Sequence, residues 1–122
     1  IAKPNIEFLD FVIDKKLFFE YYRNCEAFIF PQEEDFGITA VEAMAAGKPV
    51  IAYRGGGALE SVIENKTGIF FDEQTPKSLV EAVKKFKSEN FNGKFIQKHA
   101  LKFDKENFKE KILKKINSYL FV

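Results

Sequence analysis

Cysteine, histidine and long apolar runs are all scarce in this sequence of 122 residues. The single cysteine, Cys25, excludes an internal disulfide framework and fits a reducing compartment, so we assign it to packing. His99 is the one histidine, and no Cys, His and Asp set has metal-ligand spacing. We therefore predict no metal site and interpret His99 as structural. No apolar run approaches ~20 residues, and the first residues do not resemble a signal peptide, so we expect a soluble, cytoplasmic protein.

The first two thirds of the chain are poor in basic residues, and the last third is poor in acidic ones. Residues 1–83 carry eight Lys or Arg and 14 Asp or Glu, a net charge of −6, whereas residues 84–122 carry 11 Lys and four acidic residues, a net charge of +7. The basic end is either a solvated helix face or a surface for peripheral contact with an anionic membrane or a lipid-phosphate acceptor. It has no arginine, which disfavours nucleic-acid binding.

Apolar residues are plentiful, at 46% with 15 Phe, which predicts one packed domain without repeats or linkers. Four short apolar or alternating segments, each bounded by turn residues or a helical pattern, favour strands at 6–12, 27–31, 48–53 and 67–71. Helical patterns separate them, at 14–25, at 38–47 and directly after three glycines. This alternation predicts an α/β fold with a Rossmann-like parallel sheet flanked by helices.

The second half of the chain is predicted to be helical. Pro76 suits the first position of a helix that runs to Phe86, and a second helix is predicted within 91–103. A third, at 104–120, has an apolar stripe opposite its lysines.

Two strand-end loops are expected to meet at one edge of this sheet: the acidic loop after Phe30 and the glycines after Tyr53. We place Glu34 on the loop and Glu42 in the first turn of the following helix. A carboxylate only accepts hydrogen bonds, and its two oxygens suit a vicinal diol. The amide groups that open the helix, at Gly37, Ile38 and Thr39, suit a diphosphate. This order of groups matches a nucleoside-diphosphate sugar: hexose, diphosphate, ribose.

The segment EEDFGITAVEAMAAGKPVIAYRGGGALESV, residues 33–62, resembles the donor-binding motif of retaining family 4 glycosyltransferases with the GT-B fold. It is most similar to mannosyltransferases of polysaccharide assembly, and the resemblance spans most of residues 5–86. It implies that Glu34 contacts the hexose and the transition state, as the catalytic residue, and that Glu42 holds the ribose diol. Donor binding by Glu34, Phe36, Gly37, Ile38, Thr39 and Glu42 follows from the resemblance and from the helix-start argument together.

The resemblance also implies the reaction. A hexose, with mannose favoured, is transferred with retention from GDP-mannose or a UDP-hexose to a glycan or lipid-linked acceptor, with no cofactor and no metal. The alternative is a non-catalytic nucleotide-sugar-binding or partner module of the same fold. A glycoside hydrolase using two carboxylates ranks below both, because it has no use for a phosphate site.

This sequence departs from the family pattern in one respect. Such enzymes carry an Arg and Lys pair on an earlier strand-loop, which neutralises the diphosphate, and an N-terminal acceptor domain; neither is recognisable in residues 1–122. We therefore expect residues 1–122 to be part of the C-terminal, donor-binding half of a GT-B enzyme, inactive without its N-terminal domain.

Several residues keep a second interpretation. Gly55, Gly56 and Gly57 either let the chain approach the donor or acceptor closely or form a flexible turn. Arg54 either pairs with phosphate or lies at the surface. Glu42 also fits a role as a partner of the helix dipole, worth about 0.3–1 kcal/mol.

Overall fold

Three parallel strands form the sheet in the computed structural model, which describes residues 4–9 and 15–103. The strands are β1 (Phe28–Phe30), β2 (Val50–Tyr53) and β3 (Gly68–Phe71), in the order β1-β2-β3. In the register of the sheet, Ala52 of β2 lies between Phe30 of β1 and Phe70 of β3. The predicted parallel α/β sheet is confirmed.

Among the described residues, five α-helices lie around this sheet. They are α1 (Lys15–Asn24), α2 (Ile38–Ala45), α3 (Ala58–Ser61), α4 (Pro76–Lys85) and α5 (Gly93–Ala100), and two 3-10 turns cover Ser88–Asn90 and Leu101–Phe103. α4 begins as predicted, with Pro76 at its first position, and the hydroxyl of Thr75 accepts a hydrogen bond from the backbone N–H of Ser78 at 3.2 Å.

Both faces of the sheet are covered, so β2 is apolar throughout. Val50 and Ala52 belong to a core with side chains from α1, α2, α3 and α5, whereas Ile51 belongs to a second core with α4. Small residues on α2, Ala40 and Ala43, are fully buried and allow this helix to lie close to the sheet. The result is a three-layer arrangement typical of a parallel sheet.

The first predicted strand is not found. Residues 6–9 have no regular secondary structure and take no part in the described sheet, while residues 10–12 lie outside the described residues. Alternation alone misled here, because Phe8 and Leu9 are exposed and a strand needs a hydrogen-bonded neighbour as well as a pattern. The helix predicted at 104–120 also lies outside the described residues.

Candidate functional site

The acidic loop and the glycine turn meet at the carboxyl ends of β1 and β2. The acidic loop, residues 31–37, follows β1, and the glycine turn, residues 55–57, follows β2 after Arg54. The backbone N–H of Gly57 donates a hydrogen bond to the carbonyl of Glu34 at 2.6 Å. The predicted meeting of these two loops is therefore confirmed, and it is made through the backbone.

The glycines are required because the acidic loop lies directly against them. Gly56 has a φ of +60°, and a Cβ atom there would lie 3.0 Å from the backbone nitrogen of Glu34. A Cβ atom at Gly57 would lie 2.8 Å from the carbonyl carbons of Asp35 and Phe36. Distances this short force the backbone to move. The turn is thus a close-packed platform for the acidic loop. The sequence had suggested either close approach to the donor or acceptor or a flexible turn, and neither interpretation includes this role.

Gly37 ends the acidic loop and sets the start of α2. Its φ of +72° lies in the left-handed region, and a Cβ atom there would lie 3.2 Å from the Phe30 ring. No side chain of the described part of the chain caps α2. The first N–H groups of a helix have no hydrogen-bond acceptor within that helix. The backbone N–H groups of Ile38 and Thr39, the first two residues of α2, therefore have no intrahelical acceptor.

Glu34 has a fixed backbone and an exposed side chain. Its carbonyl is bonded to Gly57, and one carboxylate oxygen accepts a hydrogen bond from the Gln32 side-chain amide at 3.3 Å. The neighbouring Glu33 is also exposed. Glu34 therefore presents most of its hydrogen-bonding capacity to solvent at the edge of the sheet.

Glu42 lies further into α2 than predicted. Because Gly37 precedes the helix, Glu42 is the fifth helical residue and belongs to the second turn, so the prediction of a first-turn position was wrong. The helix dipole acts mainly within the first turn, which weakens the alternative role of Glu42 as a dipole partner.

A cavity of about 350 Å³ brings three of the predicted site residues together. Phe36, Ile38 and Glu42 line it, and its other side is formed by Gln97 and Ala100 of α5 and by the 3-10 turn that follows. Glu34 is not among its lining residues. The cavity therefore joins the start of α2 to Glu42, and a groove shared by both glutamates stays a prediction.

Thr39 has a side chain that is closed to a ligand. Its hydroxyl oxygen is buried and has no hydrogen-bond partner among the described residues. A ligand cannot reach this oxygen without a rearrangement, so any contact at Thr39 is left to the backbone amide.

Tyr22 of α1 is buried within the influence of the Glu42 charge. The Tyr22 side chain is 7% exposed. Its pKa is raised to about 12, first by burial and then by the negative charge of Glu42. A tyrosine within an apolar helical pattern gives no sequence signal for a charged neighbour, since its ring alone accounts for its position.

Arg54 is engaged by two carboxylates beside the glycine turn. Its guanidinium donates to both carboxylate oxygens of Glu64, at 3.0 and 3.1 Å, and to Asp72 at 2.6 Å. These hydrogen bonds lower the pKa of Glu64. The guanidinium also lies 4.8 Å from the centre of the Phe70 ring. Of the two interpretations of Arg54, the surface ion pair is the one found.

His99 and Cys25 both have structural surroundings. His99 is buried, and its Nε2 lies 2.6 Å from the carbonyl of Ser61 at the end of α3. Since a carbonyl only accepts, Nε2 carries the proton and ties α5 to the helix that follows the glycine turn. The Cys25 thiol donates to the carbonyl of Tyr22 at 3.2 Å, and burial raises its pKa.

Comparison with known proteins identifies the family. The family of glycosyl transferases group 1 matches residues 2–113. The chain belongs to this family. The solved structure of a sucrose-phosphate synthase from Thermosynechococcus elongatus superposes with a TM-score of 0.70 and 27% identity, over 82% of this chain and 27% of that one. The sheet and its helices thus match the GT-B glycosyltransferase fold.

Two curated relatives of this group 1 chain differ in the reactions that their names describe. An alpha-1,3/1,6-mannosyltransferase ALG2 from Dictyostelium discoideum is 44% identical over 72 residues, which are 58% of this chain and 17% of that protein. A D-inositol 3-phosphate glycosyltransferase from Corynebacterium urealyticum is 35% identical over 78 residues, 61% of this chain and 18% of that protein. The chain spans less than a quarter of the length of either relative.

The described residues of this group 1 chain have neither a metal-binding cluster nor a membrane-spanning helix. Residues 4–9 and 15–103 contain no group of three or more His, Cys, Asp or Glu side chains arranged to hold a metal ion. In the same residues, no helix is both long and apolar enough to cross a membrane.

Proposed function

We propose that this chain binds the sugar-nucleotide donor of a retaining, family 4-like hexosyltransferase. The donor is GDP-mannose, with a UDP-hexose as the alternative, and the acceptor is a glycan or lipid-linked glycan in polysaccharide assembly. Mannose is favoured because ALG2 mannosyltransferases from two organisms align at over 40% identity. The acceptor is held by a domain outside residues 1–122. We place the enzyme in the cytoplasm, with contact to the membrane face as an additional proposal.

One observation carries the proposal: an uncapped helix start lies between a strand-end carboxylate and a cavity that contains a second carboxylate. The amides of Ile38 and Thr39 and the positive end of α2 suit the diphosphate. Glu42, in the cavity, suits the ribose diol, and Glu34, on the exposed loop, suits the hexose hydroxyls.

The glycine turn supports this layout by fixing the acidic loop. The hydrogen bond from Gly57 to the Glu34 carbonyl fixes the backbone of the loop, while the exposed Glu34 side chain stays free to follow a ligand. Glu34 then lies near the hexose, where positive charge develops at the anomeric carbon as the diphosphate departs. Hydrogen-bond donors that already point at the departing diphosphate need no reorganisation during the reaction. This preorganisation is the main source of electrostatic catalysis.

A binding and transfer screen tests the proposal in the complete protein. Calorimetry with GDP, UDP, ADP and their sugars should identify one nucleotide that binds at least about tenfold more tightly than the others. Radiolabelled donor should then pass its sugar to a lipid-linked glycan acceptor. Tight binding without transfer to any acceptor would instead favour the non-catalytic module, and no binding by any nucleotide would refute both.

A further inference from the structure

A second polar side chain, Gln97 of α5, shares its surroundings with Glu42. Glu42 precedes the fully buried Ala43 of α2, and Gln97 follows the fully buried Ile96 of α5. Ala43 and Ile96 belong to the same core, which holds the two helices against each other. Glu42 and Gln97 both line the cavity of about 350 Å³ beside the start of α2, and both line a second cavity of about 340 Å³ between these helices and α1. The two side chains therefore belong to one site.

The helix that carries Gln97 is held at both ends. At its start, the Asn92 side chain accepts hydrogen bonds from two backbone N–H groups of the first turn, at 3.0 and 3.2 Å. Near its end, the buried His99 has its Nε2 2.6 Å from the carbonyl of Ser61. Gln97 lies between these two anchors and is exposed. Its backbone is thus fixed, while its side chain is open to a ligand.

The cavity beside the start of α2 has few polar side chains. Nine of the described residues line it, and Glu42 and Gln97 are the two with polar side chains; the others are apolar. In a cavity with apolar walls, the few polar groups fix the orientation of a ligand. The Gln97 amide has no hydrogen-bond partner among the described residues, so both of its N–H groups are available. A ligand in this cavity therefore meets one carboxylate and one amide.

A carboxylate and an amide together suit a vicinal diol better than a carboxylate alone. Each ribose hydroxyl donates one hydrogen bond and also accepts through its oxygen. Glu42 only accepts, so it binds the hydroxyl protons and provides no donor for the hydroxyl oxygens. The Gln97 amide supplies such donors. Because a polar atom that loses water without gaining a partner costs free energy, this second residue should raise the affinity for ribose.

We propose that Gln97 is a second ribose-binding residue: its side-chain amide donates a hydrogen bond to a ribose hydroxyl oxygen, while Glu42 accepts from the hydroxyl protons. This inference rests on the proposed function, since it assumes that the ribose lies at Glu42. It adds α5, which lies outside the motif at residues 33–62, to the donor site.

The test compares the affinities of two ligands for the complete protein by calorimetry. The ligands are the tighter binder of GDP and UDP and the 2′,3′-dideoxy form of the same nucleotide, which lacks both ribose hydroxyls. Gln97→Met keeps a side chain of similar length and removes the amide. We expect it to weaken binding of the natural nucleotide about twofold to tenfold, the range of one hydrogen bond, and to leave binding of the dideoxy form unchanged.

Lys98→Met is the matched control. Lys98 is the next residue of α5, is exposed and lines neither cavity, so this variant places the same new side chain on the same helix. The lost charge of Lys98 acts on both ligands alike, because both carry the same diphosphate. The ratio of the two affinities should therefore change by less than about twofold, the size expected of a surface change.

The outcomes distinguish the two proposals. If Glu42→Ala leaves the affinity for the natural nucleotide unchanged, the ribose role of Glu42 is wrong and the proposed function fails. If Glu42→Ala weakens binding but Gln97→Met behaves like Lys98→Met, or weakens the dideoxy form equally, the inference about Gln97 is overturned and the proposed function stands.

Discussion

The acidic loop and helix α2 present their carboxylates in opposite ways. Glu34 is held by its backbone through Gly57 while its side chain stays exposed, whereas Glu42 is placed by a packed helix and its side chain lines a cavity. The Glu34 carboxylate is therefore free to follow a ligand, whereas the position of Glu42 is fixed before a ligand binds. We expect the freer carboxylate to serve the sugar, which changes during the reaction, and the fixed one to serve the ribose.

The largest effect is expected from Gly57→Ala, which separates the two regions. A Cβ atom at this position would force the backbone of Asp35 and Phe36 away. We predict a loss of about 1–3 kcal/mol in the free energy of unfolding, typical of overpacking. Nucleotide-sugar affinity should fall with it, because the loop that carries Glu34 is displaced. Urea unfolding and calorimetry measure the two effects.

Gly93→Ala is the control for that variant. Gly93 also has an ordinary φ, and a Cβ atom there would lie 3.2 Å from the carbonyl of Gly47, a milder contact far along the chain from the loop. Its stability and donor affinity should change less than those of Gly57→Ala. Equal losses in the two variants would contradict the platform role of the glycine turn.

The second-largest effect is expected from removing either carboxylate, and the two variants should differ in the ligand whose affinity falls. Glu42→Ala should weaken free nucleoside diphosphate and nucleotide sugar alike, by about tenfold or more, since charge-assisted hydrogen bonds contribute about 1.5–3 kcal/mol. Glu34→Ala should weaken only the nucleotide sugar. Calorimetry with GDP and GDP-mannose, or with the UDP pair, makes the comparison. A loss of affinity for the free nucleoside diphosphate in Glu34→Ala would contradict the proposed roles, in which Glu34 binds the hexose and Glu42 the ribose.

Features that follow from local sequence signals could be predicted, whereas contacts between residues far apart in the chain could not. The parallel sheet, the meeting of the two loops and the start of α4 at Pro76 follow from apolar patterns and turn residues, which are local signals. The start of α2 at Ile38 was predicted correctly, but Glu42 was assigned to the wrong turn, because as the fifth helical residue it lies beyond the 3.6 residues of the first turn. The influence of the Glu42 charge on Tyr22 joins residues 20 positions apart, and no local pattern encodes it.

A smaller effect is expected from the pH dependence of stability. The pKa of Tyr22 rises from 10.0 to about 12 in the folded chain, so the folded state binds this proton more tightly than the unfolded state. Its contribution to the free energy of unfolding is complete below pH 10.0 and is lost as the pH rises to about 12. Urea unfolding at several pH values should show this loss in the wild type and in Tyr21→Phe but not in Tyr22→Phe. The same pH dependence in all three would place the titration elsewhere.

The smallest effect is expected from Arg54→Met, beside the glycine turn. The Arg54 and Glu64 side chains are 38% and 47% exposed, and exposed ion pairs contribute about 0.2–1 kcal/mol. We predict a loss within that range, smaller at 1 M salt, with donor affinity unchanged. A large loss of donor affinity would restore the alternative in which Arg54 binds phosphate.

The central claim is that a nucleotide sugar lies across the start of α2, with its ribose at Glu42. A crystal structure of the complete protein with its donor tests this most directly. We predict phosphate oxygens within about 3 Å, hydrogen-bonding distance, of the Ile38 or Thr39 amide, and ribose hydroxyls at the same distance from the Glu42 carboxylate. A donor whose phosphates lie against Arg54, or whose ribose avoids the cavity beside Glu42, would contradict the account.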